Sequence, residues 1–220
     1  MLAKRALTAA EEGLFWAAIP APARQYSAII LRVARERGVD PFIVAALGQR
    51  ETNWGTASSL SKPGPAGTGD FGHGRGLMQI DDRYHADWIA THDWADPYQN
   101  VTKGVSILLD GYNFLRALPK TPNVVISPKE ALRRGIPVPK NTAGVAVNAI
   151  FRDPRPLSGG LLDRAALAAY NAGPGNVLMS VAGGKDPDIT TSPGPFRMPD
   201  YGRDVLAKAA AYLGIFKSKA

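Results

Sequence analysis

Glycine recurs at positions 67, 69, 72, 74 and 76, the last four within the run Gly69-Asp70-Phe71-Gly72-His73-Gly74-Arg75-Gly76-Leu77-Met78-Gln79-Ile80-Asp81. Glycine admits backbone conformations closed to other residues and lets the chain approach a ligand closely. The segment therefore reads as a loop or short hairpin that exposes N–H and C=O groups, inserted between helices. An apolar segment ending in Glu51 precedes it. One carboxylate at the end of an apolar helix, with two more framing a tight loop, is an arrangement suited to breaking a glycosidic bond.

Helical signals dominate the rest. Thr8 and Glu11 form a capping box for a short helix ending before Pro20. Residues 24–37 carry Tyr26, Ile29, Ile30 and Val33 at helical spacing and stop at Gly38. Asp40 caps and Pro41 opens a third helix running to about Asn53. Further helices are predicted over 97–118, 161–170 and 201–216. The proline-rich stretch 119–160, with Val124-Val125-Ile126, reads as an insertion of loops or a short hairpin.

The chain has 220 residues, enough for one well-filled core, and a single domain over 1–220 is expected, with N-terminal helices over 1–39. Without cysteine it must hold by packing, and thiolate metal sites are excluded. The formal charge of +7 favours a polyanionic partner. The basic residues are scattered, the densest group being Lys129, Arg133 and Arg134, and no recognition helix stands out, so nucleic acid is not the expected partner. No apolar stretch approaches the roughly 18 residues that cross a bilayer. Glu11 and Glu12 interrupt the apolar N-terminal stretch, so neither membrane insertion nor a cleaved export signal is expected.

Ile43, Leu47 and Glu51 recur at i, i+4, which puts the carboxylate on the face of its helix that carries apolar residues. In the last turn, the negative end of the helix dipole and partial desolvation both disfavour ionisation, as a general acid near neutral pH requires. The bland alternative is a surface pair with Arg50. For Asp70 and Asp81 the alternatives are positioning a water or merely capping; for the glycines, a flexible linker. Phosphate and dinucleotide sites are excluded, because no Gly-Lys-Ser/Thr ending follows and no fingerprint follows a predicted strand. His73, His85 and His92 show no metal-ligand spacing, so no metal and no cofactor are expected.

Four segments in order carry a family resemblance. These are Glu51-Thr52-Asn53-Trp54-Gly55, the run from Gly69-Asp70 to Asp81, Ala169-Tyr170-Asn171-Ala172-Gly173-Pro174-Gly175-Asn176-Val177, and Asp200-Tyr201-Gly202-Arg203-Asp204-Val205. Together they resemble the goose-type lysozymes and the related soluble lytic transglycosylases over roughly residues 40–215. The resemblance implies a mainly α, lysozyme-like fold acting on peptidoglycan glycan strands at the β-1,4 bond between N-acetylmuramic acid and N-acetylglucosamine. It implies Glu51 as general acid, and Asp70 and Asp81 as the aspartates that hold the attacking water. Lytic transglycosylases typically lack those aspartates, so hydrolysis with inversion is expected, with carboxyl groups about 6.5–9.5 Å apart.

By the same resemblance Gln79, His73, Tyr170, Asn171 and Tyr201 are candidate substrate-binding residues. Tyr170 and Met78 have core packing as their alternative, and Asn171-Ala172-Gly173 a helix stop. Trp54, Trp88 and Trp94 could stack on sugars or pack. The competing functional readings are a lytic transglycosylase making 1,6-anhydro ends and a non-catalytic wall-binding or virion module. A compact basic muramidase of this kind resembles a phage endolysin, made in the cytoplasm and acting on the wall; a virion-borne enzyme and a secreted effector are alternatives. A monomer is expected.

Overall fold

The structure, a computed structural model, describes residues 7–117, 125–133, 138, 140, 142–143, 145–146, 157–182, 186–188 and 200–219. In chain order the helices are α1 (Ala9–Ala18), α2 (Ser27–Arg37), α3 (Pro41–Thr52), α4 (Ala86–Thr91), α5 (Pro97–Arg116), α6 (Pro128–Arg133), α7 (Gly159–Ala172), α8 (Pro174–Ala182) and α9 (Tyr201–Lys217). The strands are short: β1 (Thr68–Gly69), β2 (Gly74–Arg75), β3 (Ile80–Asp81), β4 (Val125–Ile126) and β5 (Val145–Ala146). The architecture is mainly helical. The chain divides into two compact units, Met1–Ile107 with Asp204–Ala220, and Leu108–Arg203.

In the first unit local signals act as the sequence analysis expects. The Thr8 hydroxyl accepts from the Glu11 amide, and the Glu11 carboxylate accepts from the Thr8 amide at 2.8 Å. Gly38 ends α2 in the left-handed region at φ 70°. Asp40 caps α3 by accepting from the Phe42 amide at 2.9 Å. One segment differs: Ala21–Tyr26 is a 3-10 helix, and α2 starts only at Ser27. Pro20 and Pro22 supply no N–H and set the tighter opening turn.

Helix α3 is also more deeply placed than its apolar stripe implies. Pro41 to Gly48 are all buried, so the helix is enclosed on every side rather than on one face. Phe15, Phe42 and Phe216 pack ring to ring around it, with centroids 5.1 and 5.4 Å apart. Small residues at Ala45, Ala46 and Gly48 let neighbours close in. Trp54 exploits this directly: a Cβ at Gly48 would lie 2.6 Å from its ring. The sheet that follows is antiparallel in the order β1-β2-β3, with Gly69 opposite Gly74 and Gly74 opposite Asp81.

The second unit has its own core, in which Leu115, Leu157, Leu162, Ala165, Val177 and Leu178 are buried together. Gly173, at φ 80°, ends α7, and Pro174 opens α8. β4 pairs with β5, Val125 opposite Ala146. Most of the stretch 119–160, with Val124 and Arg134, lies outside the described residues. Among the described residues no helix is long and apolar enough to cross a membrane.

Candidate functional site

Glu51 is half-buried in the last turn of α3, one turn beyond the buried Leu47 and two beyond Ile43. Its neighbours fix that turn. The Tyr212 hydroxyl of α9 hydrogen-bonds the Gln49 side-chain oxygen. Arg50 donates to Asp204 at 2.8 Å. The fully buried Thr52 hydroxyl donates to the Leu77 carbonyl at 2.8 Å, joining the end of α3 to the glycine loop. Beyond it Asn53, Trp54 and Gly55 all have positive φ, and this reversal folds Trp54 back onto α3. There its indole N–H donates to the Ala45 carbonyl at 2.9 Å and its ring stacks on Tyr26 at 5.4 Å. Trp54 is fully buried, so packing, not sugar stacking, explains it.

The glycines of the loop have a specific purpose. A Cβ at Gly69 or Gly74 would fall 2.2 or 2.3 Å from the Gln79 amide oxygen. The Gln79 amide nitrogen donates to the Gly76 carbonyl at 2.8 Å. Gln79, a substrate-binding candidate, thus has its side chain folded back onto the loop's own backbone. Gly76 is held just as tightly: at φ 72°, a Cβ there would meet the Asn100 side chain at 2.3 Å. Asn100 is fully buried at the start of α5. It accepts from the Met78 amide at 2.8 Å and donates to the Arg75 and Trp94 carbonyls at 3.0 and 2.9 Å. Met78 is buried core.

Asp70 and Asp81 come together through a residue the sequence analysis did not single out. Arg83 reaches Asp70 at 2.5 Å and Asp81 at 2.6 Å with the same terminal nitrogen. Its Nε also donates to Asp81, at 2.9 Å to one oxygen and 3.2 Å to the other, and its backbone N–H donates to Asp81 at 2.9 Å. Burial pushes the Asp81 carboxyl up, but the hydrogen bonds and charge of Arg83 outweigh it and hold the group below its ordinary value. The Asp81 hydrogen bond raises Arg83 in turn. His73 has its Nδ1 2.8 Å from Asp82, which Arg75 also grips at 2.6 Å. These two bonds, His73 first, hold the Asp82 carboxyl below the usual range.

Beside this network Phe71 and Tyr84 are 86% and 81% exposed. A shallow pocket of about 320 Å³ shares Arg83 with the aspartates and is lined further by Tyr84, His85, Trp88 and Lys103. In the second unit, Tyr170 is half-buried and Asn171 exposed at the end of α7. The Tyr170 ring stacks on that of Tyr201 at 6.4 Å. Tyr201 itself is only 2% exposed, which leaves it little surface for a ligand and makes it the backing for Tyr170. Behind Tyr201, the buried Asp188 accepts from the Gly202 amide at 2.7 Å.

Arg83, Thr52, Asn100, Phe71 and Tyr84 were the residues missed. The Asp-x-Arg spacing of Asp81 and Arg83 was the one available signal, since it permits a local ion pair.

The chain is mainly helical, as the lysozyme-like resemblance implies. Over 188 residues, 86% of its length, the chain is 29% identical to the lysozyme g of Struthio camelus and 28% identical to the lysozyme G of Dromaius novaehollandiae. The match covers 66% of each of those proteins. The lysozyme g of Casuarius casuarius is 28% identical over the same length, with 72% of it covered. The chain thus spans about two thirds of the length of the curated relatives it matches. No family model matches it. The chain is related to the goose-type lysozymes.

Proposed function

We propose that the protein is a peptidoglycan muramidase that hydrolyses the β-1,4 bond between N-acetylmuramic acid and N-acetylglucosamine with inversion. The Glu51 carboxylic acid gives its proton to the leaving glycosidic oxygen as the C1–O bond breaks. A water held by Asp70 and Asp81 attacks C1 from the opposite face and passes its proton to a carboxylate. The product is a reducing muramic end of inverted configuration. The observation that carries this reading is the pairing of Asp70 and Asp81 on Arg83, because an internal attack by the muramic 6-hydroxyl needs no water and no pair of aspartates to hold one. The bond from Thr52 to Leu77 supports it, since it ties the Glu51 turn to the loop that bears both aspartates.

The net charge of +7 suits an anionic wall better than a neutral N-acetylglucosamine polymer. The exposed Phe71 and Tyr84 offer apolar faces to sugar rings beside the carboxylates. The test is mass spectrometry of the sugars released from purified sacculi by the protein and by its Glu51→Gln variant. Reducing muramic ends made only by the unmodified protein are the expected result. Anhydro ends would make it a lytic transglycosylase, and binding without release from any wall type would make it a non-catalytic module.

A further inference from the structure

Asp70 and Asp81 come from different parts of the loop, and the loop backbone alone does not hold both. Asp81 ends β3, in register with Gly74. Asp70 lies at an exposed corner where it and Phe71 both take positive φ, at 46° and 55°. For residues other than glycine this conformation is unfavourable and persists only where surrounding contacts impose it. Among the described residues Arg83 is the sole side-chain partner of Asp70, and it spends the same nitrogen on Asp81. Two carboxylates that would otherwise repel are thereby drawn to one planar guanidinium.

We propose that Arg83 is a positioning residue for the hydrolytic reaction: it clasps Asp70 to Asp81 and so sets the place of the water they hold. This rests on the muramidase reading above. Arg83 itself neither donates nor accepts a proton in the reaction. Its charge keeps Asp81 ionised against its surroundings. Burial and Asp82 next in the chain oppose its ionisation; the other charged or titratable groups of this corner are Asp70 across the guanidinium and His73 and Arg75 on the segment paired with β3. Lysine in its place keeps the charge but cannot reproduce the fork that reaches both carboxylates.

The test compares the protein with Arg83→Met and Arg83→Lys on purified peptidoglycan across pH, and follows the Asp81 carboxyl by carbon NMR in all three. Because Arg83 is a half-exposed surface side chain, both variants are expected to fold. Arg83→Met is expected to lose about 10- to 100-fold in kcat with KM changed by less than about threefold, the scale of a displaced reacting group. The acid limb of its pH profile and the Asp81 titration both move to higher pH, and Arg83→Lys recovers part of each. A kcat within about twofold of the unmodified protein would overturn the proposal. So would a loss of kcat with the acid limb and the Asp81 titration unmoved, which is what a merely structural arginine gives. Should Arg83→Met not fold, Arg83→Lys decides on the same readouts. The products of the unmodified protein test the muramidase reading separately, and the carboxyl titration reads the clasp without any turnover.

Discussion

The hydroxyl of Thr52 donates to the carbonyl of Leu77 across 2.8 Å, a fully buried bond between the residue after Glu51 and the loop that continues to Asp81. The same oxygen accepts from the Gly55 amide at 3.0 Å. Thr52→Val keeps the shape and removes both bonds; the Gly55 amide still has the Thr52 backbone carbonyl at 3.1 Å, but the buried Leu77 carbonyl loses this partner. The expected loss is about 1–3 kcal/mol of stability. If the muramidase reading holds, kcat falls more than KM rises, because the acid and the water move relative to each other. Urea denaturation and steady-state kinetics on the same preparation read the two effects, and an unchanged denaturation midpoint would show that the bond does not secure the loop.

Asn100 makes three hydrogen bonds from a fully buried side chain, one to the Met78 amide and two to carbonyls. Replacing it by leucine removes all three and also pushes branched carbon toward Gly76, whose Cα is already packed against the amide. A loss of about 3 kcal/mol or more is expected, at the upper end of single substitutions. Loop and helix should loosen together, which hydrogen exchange would show as faster exchange at both Met78 and the first turn of α5. Faster exchange at only one of them would mean that Asn100 does not couple the two.

The division between what the sequence displayed and what it hid follows the range of the interactions. Thr8 with Glu11, Gly38, and Asp40 with Pro41 act within a turn of their own position, and each is where the sequence analysis puts a helix boundary. Glu51 at the end of an apolar stripe is equally local. Asn100 is different: its partners lie up to 25 residues away, and on α5 it looks like one more polar residue before Val101. Arg83 reaches Asp70 across 13 residues only because the loop folds back. The helix α8 was missed for another reason. Gly173-Pro174 reads as the end of a helix, but proline at the first position also begins one. Burial of α3 on all sides was hidden because the Trp54 that covers Gly48 arrives by a left-handed reversal that no periodicity announces.

Gly48 and Trp54 give that hidden contact a direct test. A Cβ at position 48 would sit 2.6 Å from two atoms of the indole. Alanine raises helix propensity at this position, yet the ring has no room to yield, since its N–H is bonded to Ala45 and its face lies on Tyr26. Overpacking wins, and Gly48→Ala is expected to cost about 1–3 kcal/mol. Thermal denaturation checks the loss and near-ultraviolet circular dichroism checks the displaced indole. A more stable Gly48→Ala protein would mean that propensity prevails.

Asp81 and Asp82 are both held below their ordinary range, Asp81 by Arg83 against the effect of its own burial and Asp82 by its hydrogen bonds with His73 and Arg75. A carboxyl lowered in the folded protein stabilises it at pH values above its unfolded pKa, about 3.9, and that contribution is lost as pH falls through the folded value. The glycine loop should therefore be secure near neutrality and weaken below about pH 4. Asp82→Asn cannot protonate, so its stability should fall less steeply than that of the unmodified protein over the acid range. Urea midpoints measured from pH 7 downward check this, and parallel curves for the two proteins would remove Asp82 from the account.

Asp188 carries the opposite sign. Burial raises its carboxyl above the ordinary range, more than the Gly202 amide and the nearby Arg164 lower it. A carboxyl raised on folding favours its neutral form, so ionising it works against the folded state, and stability falls as pH rises from the unfolded pKa through the folded one. One oxygen is nevertheless needed, because the Gly202 amide donates to it directly after Tyr201 in the chain. Gly202 cannot move to find another acceptor: a Cβ there would lie 2.4 Å from the Arg164 carbonyl, so the backbone is already as close as it can come. Asp188→Asn keeps the acceptor and removes the charge; Asp188→Ala removes both. The asparagine variant is expected to be at least as stable as the unmodified protein near pH 7 and to lose its advantage at acid pH, where Asp188 is neutral. The alanine variant is less stable at every pH, by about 1–3 kcal/mol for the orphaned amide. Denaturation of the three proteins at pH 7 and at acid pH separates the two effects. An asparagine variant that is the less stable at pH 7 would show that the pairing of Asp188 with Arg164, not the penalty of burial, governs this corner.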